Sequence, residues 1–79
     1  MATKSQHSRT YRKLPEFLKK LREDAGLTIR ELGVKLGQPH SFVYKSEFGL
    51  RRVDVTEFAE WAKACTIDPQ KALGDFLKK

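Results

Sequence analysis

In the run His-Ser-Phe-Val-Tyr-Lys-Ser-Glu-Phe, residues 40 to 48, four side chains share one side of a helical wheel: His40, Ser41, Tyr44 and Lys45. Val43 and Ser46 turn away from them. Such a side offers a lysine ammonium, a hydroxyl that both donates and accepts, an imidazole and a phenol ring. It suits hydrogen bonding to a partner. No Gly-rich phosphate loop, no paired carboxylates in a cleft and no Ser-His-Asp set with supporting context appears, so no enzyme and no catalytic residue is expected. His7 and His40 lie 33 positions apart and Cys65 is the single cysteine, which makes neither a zinc constellation nor an internal disulfide. No metal and no cofactor are expected.

Charge narrows the partner. Across 79 residues, 16 Lys plus Arg against 10 Asp plus Glu leave a net charge of +6 at pH 7. Lys4, Arg9, Arg12 and Lys13 stand in the first 13 residues with no acid, whereas the stretch from Asp54 to Leu77 holds five acids and two lysines. A small domain with a basic end points to nucleic acid first, an anionic membrane surface second and an acidic protein third. At 39% hydrophobic and 33% charged, the composition is that of a soluble globular chain, with room for one small core. No apolar run approaches a membrane span, no membrane partner is expected, and the leader MATKSQHSRTYRK lacks the apolar centre of a secretory signal. A cytoplasmic location is expected.

The elements that would position residues 40 to 48 are all helical. Leu14, Phe17, Leu18, Leu21 and Ala25 recur at helical spacing, with Pro15 in the first turn and Gly26 as the stop. Thr28 and Glu31 form a capping box for a second helix that carries Ile29, Leu32 and Leu36 to Gly37, a left-handed stop. Only Gln38 and Pro39 then intervene, so the helix over about 39 to 48 must leave at a sharp angle before Gly49 ends it. Asp54 and Glu57 cap a fourth helix with a broad apolar pattern of Val55, Phe58, Ala59, Trp61, Ala62 and Cys65. Asp68-Pro69 opens a short fifth helix. No strand signal appears, and the expectation is an all-α domain of five helices.

Helix, turn, helix is a common arrangement, and three positions make this one specific. Gly33 stands where two helices must cross closely, Gly37 stands at the turn, and Val43 faces inward from the following helix. The pattern AGLT-x-x-EL-x-x-x-LG-x-x-x-S-x-V-x-K-x-E-x-G over residues 25 to 49 resembles the helix-turn-helix family of lambda-type phage repressors and XRE-like bacterial regulators. The resemblance covers roughly residues 14 to 77.

That resemblance implies a compact five-helix lambda-repressor-like fold with the helix-turn-helix at helices 2 and 3, occupying residues 13 to 79 behind a flexible basic arm over residues 1 to 12. The implied activity is double-stranded DNA binding by a bacterial or phage transcription regulator, a repressor reading a palindromic operator as a homodimer. The helix over about 39 to 48 would lie in the major groove. His40, Ser41, Tyr44 and Lys45 would then read bases, with Lys45 donating to guanine and the Phe42 or Tyr44 ring meeting a thymine methyl. Thr28, Arg51, Arg52, Arg9 and Arg12 would meet phosphate. Arg22 and Glu47 match positions that form an ion pair in several relatives. Leu73, Phe76 and Leu77, with Trp61 beneath them, are the expected dimer contacts. A protein-partner module, such as an antitoxin or accessory subunit, is the alternative use of the same fold.

Two departures from the family pattern carry expectations of their own. Ile29 stands where many relatives place a phosphate-touching Gln, so that support is expected to be missing. Ser46 occupies a usually apolar position, and Phe42 or Phe48 is expected to fill the space it leaves. Cys65 reads as a core residue.

Overall fold

The computed structural model describes residues 9–78. The expectation of a basic arm over residues 1 to 12 therefore falls largely outside the described residues. Within them, α1 (Arg9–Arg12) and α2 (Leu14–Asp24) run into α3 (Ile29–Leu36), α4 (His40–Glu47), α5 (Val55–Ala64) and α6 (Pro69–Leu77). The five expected helices are α2 to α6, and the helix-turn-helix is the α3–α4 pair. No described helix is long and apolar enough to cross a membrane.

The end of the expected arm is not free chain: Arg9 to Arg12 form a helical turn. Apolar periodicity does not announce it, because Tyr11 is its one large side chain facing the fold. Tyr11 packs against the core, its hydroxyl accepts a hydrogen bond from the Val53 amide at 3.0 Å, and the Arg52 guanidinium lies 5.7 Å from its ring. The turn does not merge with α2. Pro15 has no amide proton to donate to the carbonyl four residues back, and Lys13 serves as the cap between the two helices.

Local chemistry sets the other boundaries. The Thr28 hydroxyl accepts from the Glu31 amide at 3.0 Å while the Glu31 carboxylate accepts from the Thr28 amide at 2.8 Å. Asp54 and Glu57 repeat the arrangement at the start of α5, and the bonds from the Glu57 amide and Thr56 hydroxyl hold the Asp54 carboxyl below its usual range. Gly37 ends α3 at φ 68°, and its neighbour Gln38 donates back to the Gly33 carbonyl at 2.9 Å. At the end of α5 the same left-handed conformation falls to Thr66, at φ 60°.

The core joins α2 to every later helix. Leu18, Leu32, Val43, Trp61 and Ala62 are fully buried, and Phe17 lies against both Phe58 and Phe76, with ring centroids 6.3 and 5.2 Å apart. The Trp61 indole donates to the Leu18 carbonyl at 3.1 Å, so the one large heteroatom-bearing core side chain is satisfied. Cys65 is buried as expected, and desolvation pushes its thiol up to about 11, which keeps it protonated at neutral pH.

Candidate nucleic-acid interface

The interface is built from the turn outward. A Cβ on Gly33 would stand 2.9 Å from the Gln38 carbonyl oxygen and 3.4 Å from the His40 Cα, so a residue with no side chain is what lets α4 start this close to α3. From that start α4 packs against α3 and α2. Val43, Ser46 and Glu47 form its buried edge. His40, Ser41, Tyr44 and Lys45 are all exposed, on the side turned from that edge. Eight residues of helix thus present one continuous polar and aromatic face beside a fixed inner one.

Two charged clamps hold the inner edge. Arg22 of α2 donates from Nε to Glu47 Oε2 at 2.7 Å and from Nη2 to Oε1 at 3.1 Å, and its Nη1 donates to the Leu27 carbonyl at 2.9 Å. The carboxylate bonds keep the guanidinium pKa above its ordinary value. The second clamp comes from the far side. Arg51 makes a bidentate pair with Glu57 at 3.0 and 2.9 Å, lies 4.3 Å over the Phe42 ring and reaches the Ser46 hydroxyl at 3.4 Å. Ser46 itself donates to the Phe42 carbonyl at 2.7 Å. Among the described residues no buried polar side-chain atom lacks a partner.

These contacts revise several expectations. Arg51 is committed to Glu57, Ser46 and Phe42, so its guanidinium straps α4 to α5 instead of standing open for phosphate. Phe42 is half-buried against the core beneath that guanidinium and does not join the exposed face. Phe48 does not fill the space beside Ser46 either; it projects outward, its ring centroid 4.5 Å from that of Tyr44. Phe76 belongs to the core with Phe17 and Phe58 and does not join the exposed face of α6, while Trp61 lies beneath as expected. Leu73 and Leu77 of α6 remain exposed.

The other expected contacts are exposed at the surface. Thr28 uses its hydroxyl oxygen for the cap and retains its proton as a donor. Arg9 and Arg12 lie exposed on α1, and Arg52 lies exposed beside Tyr11. Ile29 packs against the core from the start of α3. The outward place of Phe48 was missed, although its spacing four residues after Tyr44 carries the signal. The partners of Arg51 carry no such signal, since they depend on how the loop of residues 48 to 54 returns to α5.

Comparison with known proteins settles the family. A family model described as helix-turn-helix matches residues 18–71, more than two-thirds of the chain. An XRE-family-like protein from Pseudomonas syringae pv. tomato strain DC3000 is 36% identical and superposes with a TM-score of 0.83, over 94% of this chain and 90% of that one. The chain belongs to the XRE-type helix-turn-helix family. The clp gene regulator ClgR from C. glutamicum superposes at a TM-score of 0.75 over 90% of this chain and 91% of that one. At 21% identity it shows a shared architecture only. No curated protein matches the chain significantly. Within the XRE family framework, α3 and α4 are the helix-turn-helix and α4 is its second helix.

Proposed function

We propose that the chain is a sequence-specific double-stranded DNA-binding transcription regulator, a cytoplasmic repressor that places α4 in the major groove of a palindromic operator and binds as a homodimer. The observation that carries this reading is the division of α4: one edge is held by Arg22 and Arg51, while His40, Ser41, Tyr44 and Lys45 stand exposed on the other. A groove-reading helix needs both halves. Its outer side chains must reach base edges, and its axis must not drift while they do so.

The net charge of +6 supports a polyanionic duplex as the partner. Thr28, Arg52 and the α1 cations Arg9 and Arg12 are the phosphate contacts of this reading, which fix register without reading sequence. Leu73 and Leu77, one turn apart on α6, are the exposed apolar pair through which two copies would meet. Half-sites would then lie about one helical turn apart, roughly 34 to 36 Å.

Selection of bound sequences from random duplexes tests the proposal. A palindromic consensus, with the chain sedimenting as a dimer on it, is the expected result. Retention of DNA without sequence preference overturns the sequence-specific reading. The exposed Leu73 and Leu77 pair also favours a second reading, a protein-binding module of the antitoxin or accessory type. A chain that stays monomeric alone and on DNA supports that alternative.

A further inference from the structure

Tyr44 and Phe48 form the exposed aromatic pair of α4. Their ring centroids are 4.5 Å apart with planes tilted by 31°, and the two residues are 43% and 58% exposed. Neither ring serves the core. Exposed apolar area of this size, set beside the hydrogen-bonding Ser41 and Lys45, wants an apolar partner that lies among polar ones. The floor of the major groove offers one such group, the C5-methyl of thymine; 5-methylcytosine presents the same methyl at the same place. Phe42, which by sequence alone is as good a candidate as Tyr44 for this contact, is covered by Arg51 and cannot reach it.

We infer that Tyr44 and Phe48 together are a two-ring surface that recognises the C5-methyl groups of two neighbouring pyrimidines in each half-site. The spacing supports two adjacent steps instead of one: the ring centroids are separated by somewhat more than the rise of about 3.4 Å between successive base pairs, so each ring can meet a different base. Lys45 and Ser41, on the same side of the helix, then hydrogen-bond to base edges alongside. Phe48 is thereby a specificity-determining residue, although it lies at the C-terminal cap of α4. The inference rests on the groove-reading function proposed above.

The test removes methyl groups from the DNA before it removes rings from the protein. The full chain is titrated against its selected duplex and against the same duplex with uracil for thymine at each half-site position, which deletes only the methyl. Affinity should fall about fourfold for each of two adjacent positions, the value of one buried methyl group. Phe48→Ala and Tyr44→Ala should each lose that sensitivity at one of the two positions; both side chains are exposed, so the fold persists. A third arm replaces the thymine pair by a cytosine pair with and without the 5-methyl. A fourfold gain on methylation supports recognition of the methyl group itself, and no gain contradicts it. If uracil is tolerated everywhere while pair replacement still weakens binding, the methyl contact is overturned and groove reading stands. If pair replacement has no effect either, the groove reading itself fails.

Discussion

Arg22 and Glu47, twenty-five residues apart in sequence, meet as a two-bond guanidinium–carboxylate pair with the Arg22 side chain 11% exposed and that of Glu47 1% exposed. The pair joins the last turn of α2 to the last turn of α4. Its strength lies in geometry. A buried pair stabilises little relative to an apolar substitute, yet removing one partner strands the other charge away from water.

Glu47→Ala should therefore cost about 3 to 5 kcal/mol, a large share of the roughly 5 to 15 kcal/mol that holds a small domain together. Glu47→Gln, which can keep a hydrogen bond to the guanidinium, should cost less and lower DNA affinity more than its stability loss accounts for. Urea titration of both variants checks the order. A loss under about 1 kcal/mol for Glu47→Ala would show that the pair is incidental.

Gly33→Ala places a methyl group 2.9 Å from a backbone carbonyl, a contact no side-chain rotation relieves. The start of α4 must move. The expected cost is about 1 to 3 kcal/mol, with a specific-site affinity that falls further than non-specific affinity because α4 no longer enters at the same angle. An unchanged melting temperature together with unchanged site preference contradicts the close-approach account.

Thr66 occupies a left-handed conformation at φ 60° that Gly26, Gly37 and Gly49 take after the three preceding long helices. A β-branched residue there costs roughly 1 to 2 kcal/mol, against about 0.5 to 1 kcal/mol for the extra chain entropy of glycine. Thr66→Gly should stabilise the protein by up to about 1 kcal/mol, raising Tm by a few degrees. Thr66→Val should not. Calorimetry of the two variants decides, and a lower Tm for Thr66→Gly would mean that the hydroxyl's bond to the Cys65 carbonyl outweighs the backbone cost.

Arg51 and Arg52 are neighbours with different work. Arg51 is spent on Glu57, Ser46 and the Phe42 ring, while Arg52 is exposed beside Tyr11. Arg52→Ala should flatten the dependence of log affinity on log salt by about 0.9 for each phosphate the side chain neutralises. Arg51→Ala should lower stability and site preference while leaving the salt slope in place. Equal slope changes for the two variants would return Arg51 to the phosphate.

Which features were legible follows from the range of the interactions. Thr28 with Glu31, Asp54 with Glu57, and Gly37 act over three or four residues, so spacing alone places them. Val43 and the outward set of His40, Ser41, Tyr44 and Lys45 follow from helical periodicity. Phe76 misleads for a physical reason: Leu73, Phe76 and Leu77 share one apolar stripe, and only packing reveals that the aromatic ring turns inward to Phe17 while the two leucines remain outside. Arg51 misleads for another. A loop arginine looks like a phosphate ligand until the fold brings an acid from the next helix against it. Tyr11 ties down α1 through an amide 42 residues away, which no local pattern contains.

The central claim is that the outer face of α4 reads base identity. The most direct measurement is the ratio of affinities for the selected duplex and a random one, at one fixed salt concentration, for the wild-type chain and for Lys45→Ala. A direct base contact predicts that the variant loses about 1 to 3 kcal/mol of discrimination, roughly 5- to 150-fold, with random-duplex binding affected far less. Equal losses on both duplexes would place Lys45 on phosphate and contradict the account.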